Sequence, residues 1–239
     1  IDNQNSSEIV FAIQYSDGQG NGNRFNYIFA PLTEGADINP GTGLGMSRPT
    51  AELIRAYNEN DTRMRATLSP YEINPNTSDT INQPYFRKFL ADQQVQDGGQ
   101  DWPILRYADI LLLYAEVLNE MGDMQGALEQ LNKVRSRAFE GDSENLYEID
   151  MIANKSEMSE IILNERRLEL ACENHRWFDL LRFDKAEEFL QTEIRLQGLK
   201  TGIDLITYET SMNEYQRLYP IPMEQIELHN GILDQNKGY

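Results

Sequence analysis

Soft metal ligands are scarce in this sequence: Cys172 is the only cysteine, and His175 and His229 are the only histidines. One thiol cannot build an intrachain disulfide framework, though its presence does not decide the compartment. Cys172-x-x-His175 is a lone pair of soft ligands, whereas a credible metal site needs a cluster of them. Long apolar runs are missing as well. The longest, Ile110–Tyr114, falls far short of the roughly 20 residues of a membrane-spanning helix. Positive charge is in deficit: 21 Lys and Arg stand against 39 Asp and Glu, for a net charge of -18. Nucleic acid and anionic membrane surfaces both require basic patches, so neither is expected as a partner. Nucleophile elbows, catalytic Cys/His pairs and metal triads are also lacking.

What the sequence has is charge woven into a hydrophobic run at Ile161–Phe183 (ILNERRLELACENHRWFDLLRF). Glu165, Glu169 and Glu173 are spaced four apart and share one face of a helix. Arg166 and Arg167 fall between them. Arg176, Asp179 and Arg182 follow at three-residue spacing, where opposite charges can pair. Three carboxylates on one helix also suggest a metal bundle, but such bundles draw Glu-x-x-His from facing helices, and Cys172 stands where that Glu would precede His175. The expected outcome is a structural network of Glu165, Glu169, Arg166, Arg176 and Asp179, with no metal and no cofactor.

Around this stretch the chain is legible in pieces. Ile9–Tyr15 alternates, with Ile9, Phe11, Ile13 and Tyr15 on one side, and predicts a short strand. Asp17–Asn23 is Gly- and Asn-rich and breaks regular structure. It fails as a calcium loop, with Gln19 at the third position and Ile28 where a bidentate Glu belongs. It fails as a dinucleotide fingerprint too, since Asn23 replaces the last Gly; Gly41–Met46 fails likewise. Both read as flexible surface loops. Pro49–Asn58 predicts a short helix capped by Thr50. Residues 16 to about 100 form a loop-rich region punctuated by Phe25, Tyr27, Phe29, Tyr57, Tyr71, Tyr85 and Phe86, most of which are expected to anchor loops onto the core. Regular helix is expected from Pro103 or Ile104 to Met121, with a turn at Gly122-Asp123 and a second helix lined by Met124, Ala127, Leu128, Leu131 and Val134. Small Ala115, Gly122 and Ala127 permit a close, tetratricopeptide-like hairpin. That hairpin cannot bury its own apolar face, so it must pack on helices outside the first hundred residues. After a polar connection at 140–156, Ser156 or Ser159 is expected to cap the organising helix. Asn174 should hinge it, the second part continuing through Lys185–Leu190 and ending at Gly198–Gly202. Tyr219-Pro-Ile-Pro222 is held extended by its prolines, and Met223–Leu228 is a short helix.

Glu165-Arg166-Arg167-x-Glu169-Leu170 followed by His175-Arg-Trp-Phe-Asp-Leu-Leu-Arg182 resembles the C-terminal signature of the SusD/RagB family of outer-membrane nutrient-binding lipoproteins. Arg106–Glu116 (RYADILLLYAE) and the closing Gln235-Asn-Lys-Gly-Tyr239 resemble two further blocks, in the family's order. Departures are Asn174 for the usual Gly, Phe183 for a closing Trp, Gly231 for the Pro after Asn230, and Lys237 for Pro. Asn, like Gly, accepts a left-handed backbone readily, so the turn at 174 can survive. The resemblance covers Trp102–Tyr239 well and the loops hardly at all.

It implies a mainly α fold: a tetratricopeptide-like helical scaffold with a large loop-rich region and a few short strands. Residues 1–102 would be the loop-rich, ligand-facing segment and residues 103–239 the scaffold. The chain starts at Ile1 without methionine, signal peptide or lipoprotein cysteine, and reads as a C-terminal portion whose N-terminal half is missing. The implied function is non-catalytic capture of oligosaccharides or polysaccharides at the outer membrane, the protein being lipid-anchored through an upstream cysteine and delivering to a TonB-dependent, SusC-like transporter. A glycosidase using a carboxylate pair and a helical-repeat adaptor that binds only protein are the alternatives. Sugars present flat apolar faces rimmed by hydroxyls. The candidate contacts are therefore Tyr27 and Tyr71 as stacking platforms, with Asp17, Asn23 and Arg24 as hydroxyl partners.

Overall fold

In the computed structural model, residues 6–18, 20–31, 43–74, 77–90, 97–192, 217–229 and 231–238 are described. The expected helix end at 198–202 and the terminal residue 239 lie outside them. The chain divides into two compact units, Ile1–Arg176 and Trp177–Tyr239. The loop-rich first hundred residues and the helical hairpin after them belong to the same unit.

The scaffold is mainly α. Helices α4 (Tyr107–Glu120) and α5 (Met124–Ala138) form a hairpin, and α6 (Lys155–Glu169) packs against both. Gly122, at φ 88°, makes the turn, and the Asp123 side chain accepts from the Gly126 N–H at 2.9 Å to start α5. Ala115 and Ala127 are fully buried, so the two helices approach as closely as their small residues allow. Met158, Ile162 and Leu163 of α6 fill the space beside them. Asn119, itself buried, donates to the Lys155 carbonyl and the Ser159 hydroxyl and ties the end of α4 to the start of α6. The hairpin thus finds one partner helix outside the first hundred residues. Its other side carries Tyr107, Ile110, Tyr114, Val117 and Met121, all exposed, at alternating three- and four-residue spacing along α4.

The cap of α6 differs from the sequence expectation. Asn154, not Ser156 or Ser159, accepts from the Glu157 N–H, while Glu157 accepts in return from Ala153. This reciprocal arrangement satisfies two orphan donors at once, which neither serine could do from inside the helix. The helix also stops earlier than expected, at Glu169. Cys172 and Asn174 both take left-handed backbone (φ 67° and 66°), and Glu173 sits between them in a turn before α7 (Arg176–Arg182). Asn174 therefore fills its expected role, with Cys172 as a second hinge residue. After α7, Asp184 is also left-handed, and residues 186–192 start a separate helical stretch.

The expected helix start at 103 or 104 is overturned. Trp102–Arg106 is a strand (β6) pairing antiparallel with β1 (Ile9–Ile13), and α4 begins only at Tyr107. The expected alternation along β1 fails too. Register irregularities after Ile9 and Phe11 leave Val10 and Phe11 both exposed, because a bulge re-aims the residues that follow it.

Short elements cover the scaffold's end. Helix α2 (Ala51–Ala56) has its expected cap, Thr50 Oγ1 accepting from the Leu53 N–H; α3 (Thr62–Thr67) is capped by Asp61. Leu53, Tyr57, Leu68 and Phe86 pack with Leu168 and Ala171 at the end of α6. Rings anchor the loops as expected: Phe89 stacks on Trp102 at 4.9 Å, and Phe25 contacts both.

Between α4 and α6, Arg166 and Asp109 form an ion pair of 2.7 Å with both side chains buried. Removing one member of such a pair leaves the other without its counter-charge in the core. Arg166→Ala should therefore destabilise the protein by about 3–5 kcal/mol in denaturant unfolding, whereas the double variant Arg166→Met/Asp109→Leu should recover most of the loss.

Candidate functional site

The carboxylates at 165, 169 and 173 are among the most buried charges of the described residues, and each is claimed from another element. Glu165 receives Arg63 of α3 and Arg135 of α5, both at 2.7 Å. Glu169 receives Arg63 at 3.1 Å, Arg106 at 3.0 Å and Arg137. Glu173 is held two-pronged by Arg106, at 2.7 and 2.8 Å, and pairs with Lys88. Asp61 takes the far edge of Arg63, and Glu8 bridges Arg106 and Arg137. The cations do a second service. Lys88 donates to the carbonyls of Glu169 and Ala171, and Arg106 to that of Glu169. The carbonyl of Glu169, which ends α6, and that of Ala171 just beyond it are thereby satisfied. A cavity of about 280 Å³ lies among Glu8, Arg63, Lys88, Arg106, Arg137 and Glu169.

Of the five residues expected in one network, Glu165 and Glu169 are paired here, and by cations from other elements. Arg166 turns to Asp109, Arg176 reaches the Leu163 carbonyl at 3.4 Å, and Asp179 pairs with Arg182 at 3.0 Å. The charge is balanced: Arg63, Lys88, Arg106, Arg135 and Arg137 face Glu8, Asp61, Glu165, Glu169 and Glu173. Burial opposes the charge on Glu169, yet Arg106, Arg137, Arg63 and Lys88 together hold its carboxyl down at about 2. A carboxyl so firmly ionised cannot serve as a general acid near neutrality. Burial pushes the Cys172 thiol up to about 12 despite Lys88 nearby, so it supplies no thiolate for metal binding or attack. Among the described residues no group of three His, Cys, Asp or Glu side chains could hold a metal ion.

The four predicted contacts between residues 17 and 27 lie on one segment, which is clasped rather than flexible. The Asp97 carboxylate accepts from the Gly20 and Gly22 N–H groups at 2.9 and 2.6 Å. A Cβ on Gly22 would lie 2.3 Å from Asp97 backbone, so this close approach needs glycine. Asp17 and Arg24 are exposed and Tyr27, on α1 (Phe25–Phe29), is half-buried. Asn23 does not face solvent. It is buried, its Nδ2 donates to the Gln100 carbonyl, and its Oδ1 accepts from the Phe25 N–H. Its amide is committed to shaping the loop, as asparagine commonly is in turns.

Tyr71 stands apart from these four. It is 44% exposed and lines a groove of about 480 Å³ with Asn60, Arg65, Ser69, Arg87 and Glu140, a groove that none of the other four lines. The lining includes Leu68 and Ser69 of β2 (Leu68–Ser69), a strand that pairs with β5 (Tyr85–Phe86). The ring is carried on fixed backbone: Pro70 precedes it, and the Ser69 hydroxyl donates to the Tyr71 carbonyl at 2.7 Å. A ring presented this way loses little conformational freedom when a ligand stacks on it. Arg65 and Glu140 pair only loosely, at 3.8 Å, with both side chains about three-quarters exposed. Among the described residues, the Arg87 side chain makes no ion pair. The sequence offers no pattern that singles out Arg87.

A helical scaffold of this design recurs in known proteins. The chain superposes on surface glycan-binding protein A from Bacteroides thetaiotaomicron with a TM-score of 0.71 and 24% identity, over 98% of this chain and 52% of that one. It superposes on a SusD homolog from the same species with a TM-score of 0.77 and 20% identity, over 97% and 52%. SusD-like protein P25 from Formosa agariphila is 28% identical over 99% of this chain and 43% of the relative. The chain therefore spans about half the length of the relatives it matches. The SusD family model matches residues 62–239, and the chain belongs to that family.

Glu169 also makes a pH prediction. Its native pKa lies below the ordinary 4.5, so its contribution is complete above about pH 4.5 and is lost as pH falls toward 2; Glu173 shifts in the same direction. On the order of 3 kcal/mol should disappear from Glu169 across that window. Unfolding at pH 7 and pH 3 should show Glu169→Gln much less stable than the parent at pH 7, with the gap narrowing at pH 3. An unchanged gap would contradict the assignment.

Proposed function

We propose that the protein captures oligosaccharides at the cell surface without cleaving them and delivers them to a TonB-dependent, SusC-like transporter. Membership of the SusD family carries this reading. Surface glycan-binding protein A, whose fold it shares, has been solved in complex with laminarihexaose. The chemistry of the chain agrees: the buried carboxylates are consumed by guanidinium partners, and the exposed groove of Tyr71 mixes a ring with hydrogen-bonding side chains. On this reading residues 1–102 face the ligand, residues 103–239 form the scaffold, and the exposed stripe on α4 meets helices from an N-terminal half. The protein would sit at the outer membrane, lipid-anchored through an upstream cysteine.

Tyr71 and Tyr27 are the stacking platforms in this reading, with Asp17 and Arg24 as hydroxyl partners and Asn23 supporting them from beneath. Stacking one sugar face on one ring contributes on the order of 1 kcal/mol. Calorimetry of the full-length protein against an oligosaccharide panel should show binding that weakens about fivefold in Tyr71→Ala, with folding intact because the ring is exposed. Tyr27→Ala should weaken it in the same direction. Undiminished binding in both variants would remove the two rings from the site. Cleavage of any sugar in the panel would overturn the non-catalytic reading.

A further inference from the structure

The groove beside Tyr71 contains charges of both signs, and their arrangement bears on which sugars it takes. Arg65 and Arg87 are its cations, and Glu59 and Glu140 are carboxylates beside them. Asp61 also lines it, but both its oxygens are taken by Arg63. Arg87 is exposed, and its backbone is pinned by an N–H bond to the Thr67 carbonyl at 2.8 Å. Its guanidinium has no ion-pair partner among the described residues, in a chain where acidic residues outnumber basic ones by 39 to 21. The Arg65–Glu140 pair is too long and too exposed to hold its members against a competing ligand.

We infer, resting on the glycan reading above, that this groove selects uncharged sugars, with Arg87 donating to hydroxyls of the ring stacked on Tyr71. A hydroxyl both donates and accepts, so an uncharged sugar can use guanidinium and carboxylate groups together. A uronic acid or a sulfated sugar brings its own negative charge to Glu59 and Glu140 and leaves them repelled. Arg65 and Arg87 offset Glu59 and Glu140, and Asp61 is offset by Arg63 from outside the lining, so the groove offers a polyanion no net attraction.

The test is calorimetry on the full-length protein with two panels of equal length, uncharged hexose oligosaccharides and uronic-acid oligosaccharides, each at low and high salt. The uncharged panel should bind with affinity nearly independent of salt, and the acidic panel at least tenfold more weakly. Arg87→Ala should weaken the uncharged panel about tenfold, or about 1.4 kcal/mol, and Arg87→Lys should recover part of that loss. A melting curve equal to the parent's would confirm that Arg87→Ala still folds. Two results overturn the inference while leaving glycan capture intact: acidic sugars binding more tightly with affinity falling as salt rises, or Arg87→Ala binding like the parent while Tyr71→Ala does not. If neither panel binds the parent protein, the glycan reading fails and this inference falls with it.

Discussion

Burying a carboxylate is costly unless cations follow it into the interior, and in this protein that constraint decides what packs where. Glu165 and Glu169 stand in the last turns of α6 and Glu173 in the turn that follows, where the helix's last carbonyls also need donors. Arg63 from α3, Arg106 from the end of β6, Arg135 and Arg137 from α5, and Lys88 from the segment after β5 all converge there. The same few groups thus solve two problems, the charge of the acids and the orphan carbonyls. They also fix geometry. A guanidinium gripped on two edges, as Arg63 is by Asp61 and by the two α6 glutamates, tolerates very little displacement of α3. The loop-rich segment is therefore held by directional bonds as well as by the apolar cluster of Leu53, Tyr57, Leu68 and Phe86.

Part of this was readable in the sequence and part was not, for a physical reason. The four-residue spacing of the glutamates marks a row of acids inside an apolar run, and such a row implies burial and pairing. Who pairs with them cannot be had from local spacing. Arg63 lies 102 residues from Glu165, and Arg106 lies 63 from Glu169. Neighbours such as Arg166 are turned elsewhere by the helix's own rotation, toward Asp109 on α4. Strand β6 was missed for the same reason. Its pairing with β1 joins residues some ninety positions apart, whereas the apolar run that follows it is helical on purely local grounds. Turns and some caps, which are local by nature, were more legible: Thr50, Asp123 beside Gly122, and Asn174 all behave as their types suggest, whereas the cap of α6 falls to Asn154 and not to Ser156 or Ser159.

The candidate site was less legible than the scaffold. Choosing loop aromatics and loop polar residues presumes that a loop side chain faces water. Tyr71 meets that presumption, and Asn23 does not. An asparagine in a Gly-rich turn has two competing uses, solvent or its neighbours' backbone groups, and at position 23 the backbone prevails because Gly98 and Gln100 are brought alongside. Arg87 was invisible for the opposite reason. Its availability follows from its making no ion pair among the described residues, although Glu59 and Glu140 line the same groove, and only the folded chain establishes that.

On the proposed reading, stability and recognition rest on different arginines. Those that hold the fold are sequestered against carboxylates, and burial makes their pairing indifferent to solvent ions. Burial works against the charge on Arg63 and Arg106, yet the carboxylates around them more than restore it, so neither can be lent to a ligand without unbalancing the interior. Arg87 and Arg65 sit in the groove with exposed side chains, and nothing in the core depends on them. Substitution at positions 65 and 87 is thereby decoupled from folding, unlike that at Asp61 or Leu68, which line the same groove. The constraint runs the other way as well: on the proposed reading a glycan contact is gained or lost by a single change at positions 65, 71 or 87, while a change in the row at 165, 169 and 173 leaves distant partners without their counter-charge.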